Sequence, residues 1–301
     1  MAHPVPAIET TRLSLPGGIP LEFCRIPAAT FWMGSRERVP APPHQVRIED
    51  DFWLGQTPVT LAQFRVFVQA TGRKWETRRV TADDQPVVEV DWHKALTFCE
   101  WLNSCRSSTP ETAEVHWPAA LADCVATLPT EAEWERACRG VTGDSCVEQE
   151  FGCGDGAAAL AEVAWFDRDW NAEIPRVQQK RPTDWGLYDL HGLVWEWCHD
   201  EYSPTAYAER AMLTVEPGAA ARDDYRKRGT DLARRVLRGG SSDSSAAWSR
   251  SAFRYGDWAN VSYGSVGFRV ALVPVPARAQ VSADQAQGGA GSAAGPPTSG
   301  P

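Results

Sequence analysis

The sequence predicts a single α+β domain with short helices, short strands and long ordered loops, on three observations. Only three stretches combine a helix cap with a helical stripe of apolar residues. Others alternate apolar and polar side chains over a few residues between Pro and Gly, the period of a strand. The 14 tryptophans among 301 residues imply an aromatic-rich core with few long helices.

Taken in order, residues 1–19 read as a lead-in strand turned at Pro16, Gly17 and Gly18. Residues 21–35 alternate up to Gly34, Pro40 to Pro43 is a loop, and His44 to Leu54 alternates again through Val46 and Ile48. Thr60 caps a helix over 61–70, with Gln63 completing a capping box, Leu61, Phe64, Phe67 and Val68 on one face, and Gly72 ending it. Asp91 caps a second over 92–104, whose buried stripe is Trp92, Ala95, Leu96, Cys99 and Leu102. Thr130 and Glu133 form a capping box for a third over 131–139, followed by Gly140. All three are scaffold and carry no assigned chemistry. Residues 106–127 read as a surface insertion, 141–160 as a Gly- and acid-rich loop, 205–212 as a turn within a charged loop over 203–233. Arg234 to Ser241 and Val266 to Val275 are short strands, and 242–265, without periodicity, is loop. The domain spans 20–276. Beyond it the aromatics vanish, so 277–301 is read as a disordered Gly/Ala/Pro-rich tail.

Composition narrows the function. At 43% apolar and 23% charged the chain has an ordinary globular make-up. A net charge of −9 argues against a nucleic-acid partner, which would select a basic face. No run approaches the ~18 apolar residues that span a membrane. The start lacks the apolar segment of a signal peptide, so a cytoplasmic protein with no membrane partner is expected. The eight cysteines contain no C-x-x-C pair, which argues against zinc, and reduced thiols are expected. Cys146 and Cys153, flanking an acidic loop, are the pair an oxidising compartment would join.

The chain is organised around Gly186 to Asp200, GLYDLHGLVWEWCHD. Its glycines mark turns or close backbone approach, and Trp195 and Trp197 flank Glu196 with the period of a half-buried strand edge. This stretch resembles the GLYDMHGNVWEW signature of the formylglycine-generating enzyme/sulfatase-modifying factor family. FWMGS (31–35), PVTLAQFRVF (58–67), LPTEAEWERACRG (128–140), and RVLRGGS (235–241) running on to VGFRVAL (266–272) agree in the family's order. The resemblance covers roughly residues 20 to 273 and implies a C-type-lectin-like fold. It also implies a structural calcium held by Asp189, Gly192, Val194 and Glu196, two side chains and two carbonyls, the hard oxygens calcium favours. The other reading has Asp189 capping a turn and Glu196 in a buried ion pair. Leu193 and Thr183 stand where the family usually has Asn.

One departure bears on chemistry. Family members that make formylglycine carry two cysteines shortly after the RGGS strand, and those thiolates bind copper. Here no cysteine follows Cys198, and the matching loop reads SSDSSAAWSRSAFR. Soft Cu(I) needs thiolates, so copper is not expected. His191, Glu196 and His199 raise a transition-metal reading, but their spacing puts them on mixed faces of a strand, and iron is not expected. No catalytic residue is assigned.

The loop suggests recognition instead. Ser242, Asp243, Ser244, Ser245, Phe253, Tyr255, Asp257, Trp258, Asn260, Ser262, Tyr263 and Ser265 are candidate ligand-binding residues for a protein or small molecule. Tyr, Ser and Asn are the vocabulary of adaptable binding loops. The segment resembles the variable region of binding proteins from diversity-generating retroelements; an ordinary loop lining a remnant groove reads equally well. Arg238, Arg250, Arg254 and Arg269 are expected to pair with core acids such as Glu196, Asp200 or Glu133, with an anion clamp as the other possibility. The competing function is a metal-dependent oxidase or tailoring enzyme of the same superfamily.

Overall fold

The computed structural model describes residues 8–36, 42–106, 115–140, 149–209, 214–215 and 233–275. The expected tail, most of the charged loop over 203–233, and Cys146 lie outside the described residues.

Five strands come first: β1 (Thr10–Leu15), β2 (Ile19–Ile26), β3 (Ala29–Met33), β4 (His44–Ile48) and β5 (Phe52–Gly55). The β1–β2 hairpin closes on a 3-10 turn at Pro16–Gly18, where Gly17 takes a left-handed φ of 78°. Helices α1 (Leu61–Thr71) and α2 (Trp92–Ser104) follow, then β6 (Cys124–Thr127), α3 (Glu131–Arg139) and α4 (Gly156–Val163). The last part holds β7 (Trp195–Glu201), α5 (Ala206–Glu209), β8 (Thr214–Val215), β9 (Arg234–Arg238), β10 (Tyr255–Trp258), β11 (Val266–Phe268) and β12 (Ala271–Pro274).

The strands form a five-stranded sheet in the order β1-β2-β5-β12-β6, a four-stranded sheet β10-β9-β7-β11, and a three-stranded sheet β3-β4-β8. β12 pairs with both β5 and β6, so the end of the domain closes a sheet opened near its start. All three expected helices are present with their caps. Thr60 Oγ1 accepts from Gln63 N while Gln63 Oε1 accepts from Thr60 N, and Asp91 Oδ1 accepts from Lys94 N. Phe64, Phe67, Phe98, Trp101 and Phe268 interlock on α1, α2 and β11, with edge-on, tilted or stacked rings 5.2–6.1 Å apart. Among the described residues no helix is long and apolar enough to cross a membrane.

Four expectations need correction. Residues 124–127 are not surface insertion but the edge strand β6, and Val115 and Leu121 before them are buried. Residues 156–163 form α4, where an alanine-rich run outweighs the glycines around it. β7 is no half-buried edge. It lies between β9 and β11 with Trp195 through His199 buried on both faces, which alternation in so short a run does not reveal. And 242–265 is not all loop. It contains a 3-10 turn at Ala246–Ser249 and the strand β10, with Tyr255 opposite Leu237 and Asp257 opposite Arg235.

Candidate functional site

The signature stretch anchors a buried polar lattice. Glu196 on β7 accepts from Arg269 at 2.8 Å through Nη2 and from Trp134 Nε1 at 2.8 Å. Arg269 also donates to the carbonyls of Gly55 and Tyr188, tying three segments to one guanidinium. Asp189 sits at a left-handed φ of 61°. Its Oδ2 accepts from Gln178 N at 2.9 Å, while buried Oδ1 has no partner among the described residues. Burial pushes its pKa up to about 6. Gly192 O accepts from Val194 N, and a Cβ on Gly192 would stand 2.1 Å from Trp165 O, so only glycine fits there. Of the donors expected for calcium, Asp189 Oδ1 has no partner among the described residues, while Gly192 O already accepts a hydrogen bond. Glu196 is already neutralised by Arg269, so the set as arranged offers a cation one carboxylate rather than two.

His191, Glu196 and His199 do not meet as a metal triad. His191 Nδ1 lies 2.7 Å from Ser249 O, and Nε2 accepts from Gly152 N at 3.1 Å. Both ring nitrogens are thus used by the neutral ring, and burial pushes its pKa down to about 4. Among the described residues no group of three or more His, Cys, Asp or Glu is arranged to hold a metal ion. Cys138, 3.5 Å from His191 Nε2, has its thiol pushed up to about 12 by burial, which suits a core thiol rather than a nucleophile.

The four arginines pair with acids, as expected, three of them with acids other than those named. Arg254 grips Glu131 with Nε at 2.7 Å and Nη2 at 2.6 Å, Arg238 reaches Glu131 and Glu135, and Arg250 meets Glu150 at 2.7 Å. Only Arg269 uses an acid named from the sequence. Every residue of α3 is buried, so its charged face is turned into the molecule. Burial raises the carboxyl of Glu135, but Arg139 and Arg238 win and hold it below the usual range.

The candidate recognition loop divides in two. Ser242 and Ser244 are buried, Ser244 Oγ lies 2.7 Å from Ser241 Oγ, and their carbonyls accept from Arg168 N and Asp167 N. They are scaffold and do not face solvent. Asp243 is half-buried, while Ser245, Asn260 and Ser262 are exposed. Tyr255, Asp257, Tyr263 and Ser265 line a cleft of about 220 Å³ together with Trp195, Leu237, Trp248 and Val266. Phe253 backs it, stacked on Trp248 with ring centroids 6.0 Å apart. Trp258 is exposed beside the cleft without lining it. Sequence reasoning missed the first two tryptophans. Trp195 reads as part of a half-buried strand edge, and Trp248 sits in the quoted loop but outside the Ser/Tyr/Asn vocabulary. A larger cleft of about 680 Å³, between Arg65, Trp75, Arg78 and Glu89, had no sequence signal.

The family profile for the sulfatase-modifying factor enzyme 1-like domain (FGE-sulfatase) matches residues 19–273. The formylglycine-generating enzyme of Streptomyces coelicolor is 32% identical, over 82% of this chain and 88% of its own length. A Chlamydia caviae protein named serine/threonine-protein kinase pkn1 is 27% identical over 83% of this chain but 38% of its own length. Among solved structures, Treponema denticola variable protein 1 superposes with a TM-score of 0.64 at 23% identity, covering 89% of this chain and 100% of that one. PvdO from Pseudomonas aeruginosa gives 0.64 at 22% identity, covering 84% and 95%. At such identities these two likenesses establish the fold alone, the C-type-lectin-like α+β arrangement.

Proposed function

Because this chain belongs to the sulfatase-modifying factor enzyme 1-like family, we propose that it uses the family's fold as a rigid frame for binding, presenting the cleft of loop 241–265 to a protein or small ligand in the cytoplasm. The observation that carries this reading is the cleft wall. Trp248, Tyr255 and Tyr263 remain 46–48% exposed and converge on one concavity, whereas the other exposed tryptophans, Trp32, Trp170 and Trp258, do not line it. Exposed aromatics grouped about a concavity are the usual anchors of binding sites. The sequence adds that no cysteine follows Cys198, so the loop after β9 offers serines where copper chemistry requires thiolates. In its finer form the reading makes 241–265 the diversified segment of a retroelement-linked binder. The fold shared with Treponema denticola variable protein 1 is compatible with that, and the exposed Ser, Tyr and Asn of the loop support it.

The second reading, an oxidase or tailoring enzyme, draws on the 32% identity to a formylglycine-generating enzyme. Two measurements separate them. With the tryptophans replaced by 5-fluorotryptophan, a fragment library is screened by fluorine NMR. Binding predicts saturable shifts of the Trp248 and Trp195 signals that disappear in Tyr255→Ala. A sulfatase peptide bearing its cysteine is then incubated with the copper-supplemented protein. An aldehyde product, with no fragment moving those two tryptophans, would overturn the binding reading.

A further inference from the structure

The walls of the cleft have a chemistry beyond hydrophobicity. Trp195 forms the floor, with the rings of Tyr255 and Trp248 inclined to it at 44° and 51° and centroids 5.8 and 6.1 Å away. Rings set at such angles turn several π faces toward one volume, and a π face attracts positive charge. Asp257 stands two residues along β10 from Tyr255, so strand alternation sets both on the same face. Its carboxylate accepts from Trp258 N at 2.8 Å and from the Tyr263 hydroxyl, both neutral donors. Arg235, opposite Asp257 in register, is directed inward, 4.0 Å over the Trp92 ring and donating to His199 O. The cleft therefore joins aromatic faces to one carboxylate, and an anionic ligand would meet repulsion there.

We infer that this cleft recognises an alkylated ammonium group, either the head of a small molecule or a methylated lysine side chain; the inference rests on the binding reading above and names its ligand class. Alkylation is favoured over a bare ammonium because the walls are mostly apolar. A methylated cation sheds its water more easily and needs no ring of acceptors, whereas a primary ammonium must satisfy three N–H donors. The size agrees. A volume of about 220 Å³ lies below the roughly 300–1,000 Å³ of pockets that enclose a drug-sized ligand. It suits a head group whose remainder extends into solvent.

The test compares choline with 3,3-dimethylbutan-1-ol, its uncharged isostere, on the full chain carrying 5-fluorotryptophan. Choline and tetramethylammonium are expected to shift the Trp248 and Trp195 signals saturably, with the isostere about tenfold weaker. Asp257→Asn, which keeps the oxygen that receives Trp258 N–H, should erase most of that difference with the melting temperature unchanged. Trp248→Ala should abolish binding. A trimethyl-lysine peptide that outcompetes choline assigns the head group to a protein partner, and the reverse order to a small molecule; either result supports the inference. Equal affinity for choline and its isostere, or choline shifts that survive both substitutions, would overturn it. Fragment binding lost in Trp248→Ala but indifferent to charge would sink the ammonium and leave the binding reading standing. No Trp248-dependent binding by any fragment would sink both.

Discussion

Two sites a few residues apart on the same strands treat polar and aromatic groups in opposite ways. Below β7 and β9, Arg238, Arg254 and Arg269 are 0–4% exposed and clasp Glu131, Glu135 and Glu196. Above them Trp248, Tyr255 and Tyr263 are left about half in water. A buried ion pair contributes little net stability, because desolvation offsets the attraction, but it fixes one arrangement of the segments that supply its members. Exposed aromatics do the reverse: they give up burial and keep a surface ready for contact. The lattice holds the frame, and under the binding reading the cleft is what the frame displays. Substitutions should therefore separate cleanly into those that unfold the protein and those that silence it.

The largest effect is expected from Arg238→Met, which leaves Glu131 and Glu135 buried with less compensation. Denaturant melts should show a loss of about 3–5 kcal/mol, and a loss below ~1 kcal/mol would mean the lattice does not lock the fold. Next comes acid. Unfolded, His191 titrates near 6.5, and folded it does so at about 4. Between those values the unfolded chain binds a proton the folded one refuses, so this contribution is whole above about pH 6.5 and is lost as pH falls toward 4. Its ceiling is roughly 3 kcal/mol. Asp189 works against it. Its folded pKa of about 6 favours the folded state in acid, and that contribution is lost as pH rises through 6. Asp189→Asn should therefore steepen the acid-side loss and His191→Gln flatten it, read from unfolding midpoints between pH 4 and 7.

Much of the frame was legible in the sequence because caps are local. Thr60 with Gln63, Asp91, and Thr130 with Glu133 announce helices within four residues, and the structure keeps all three. The partners of the charges were not legible, because they are set by contacts more than 70 residues apart, such as Arg269 with Glu196 and Arg254 with Glu131. The candidate site was half visible for the same reason. Tyr255, Asp257, Tyr263 and Ser265 stand in the loop itself, but the floor comes from Trp195 on β7, and Ser242 and Ser244 turn inward to brace the chain after Gly240. Composition marks a candidate recognition loop without saying which of its residues face out.

Smaller effects sharpen the contrast. Calcium removal by chelation should move the melting temperature by less than about 2 °C, because Arg269 already neutralises Glu196. A larger drop would show that Glu196 exchanges its arginine for a metal shared with Asp189. Tyr263→Ser should cost well under ~1 kcal/mol of stability, since its ring is half in solvent.

The most direct measurement pairs stability with binding in one variant. Trp248→Ser is melted alongside the wild type and screened against the same fluorine-detected fragments. Melting within about 3 °C of wild type is expected, together with loss of every fragment that shifts Trp195. A deep fall in melting temperature would make the aromatic wall part of the core, and fragments still bound at Trp195 would place recognition elsewhere; either would contradict the division between frame and display.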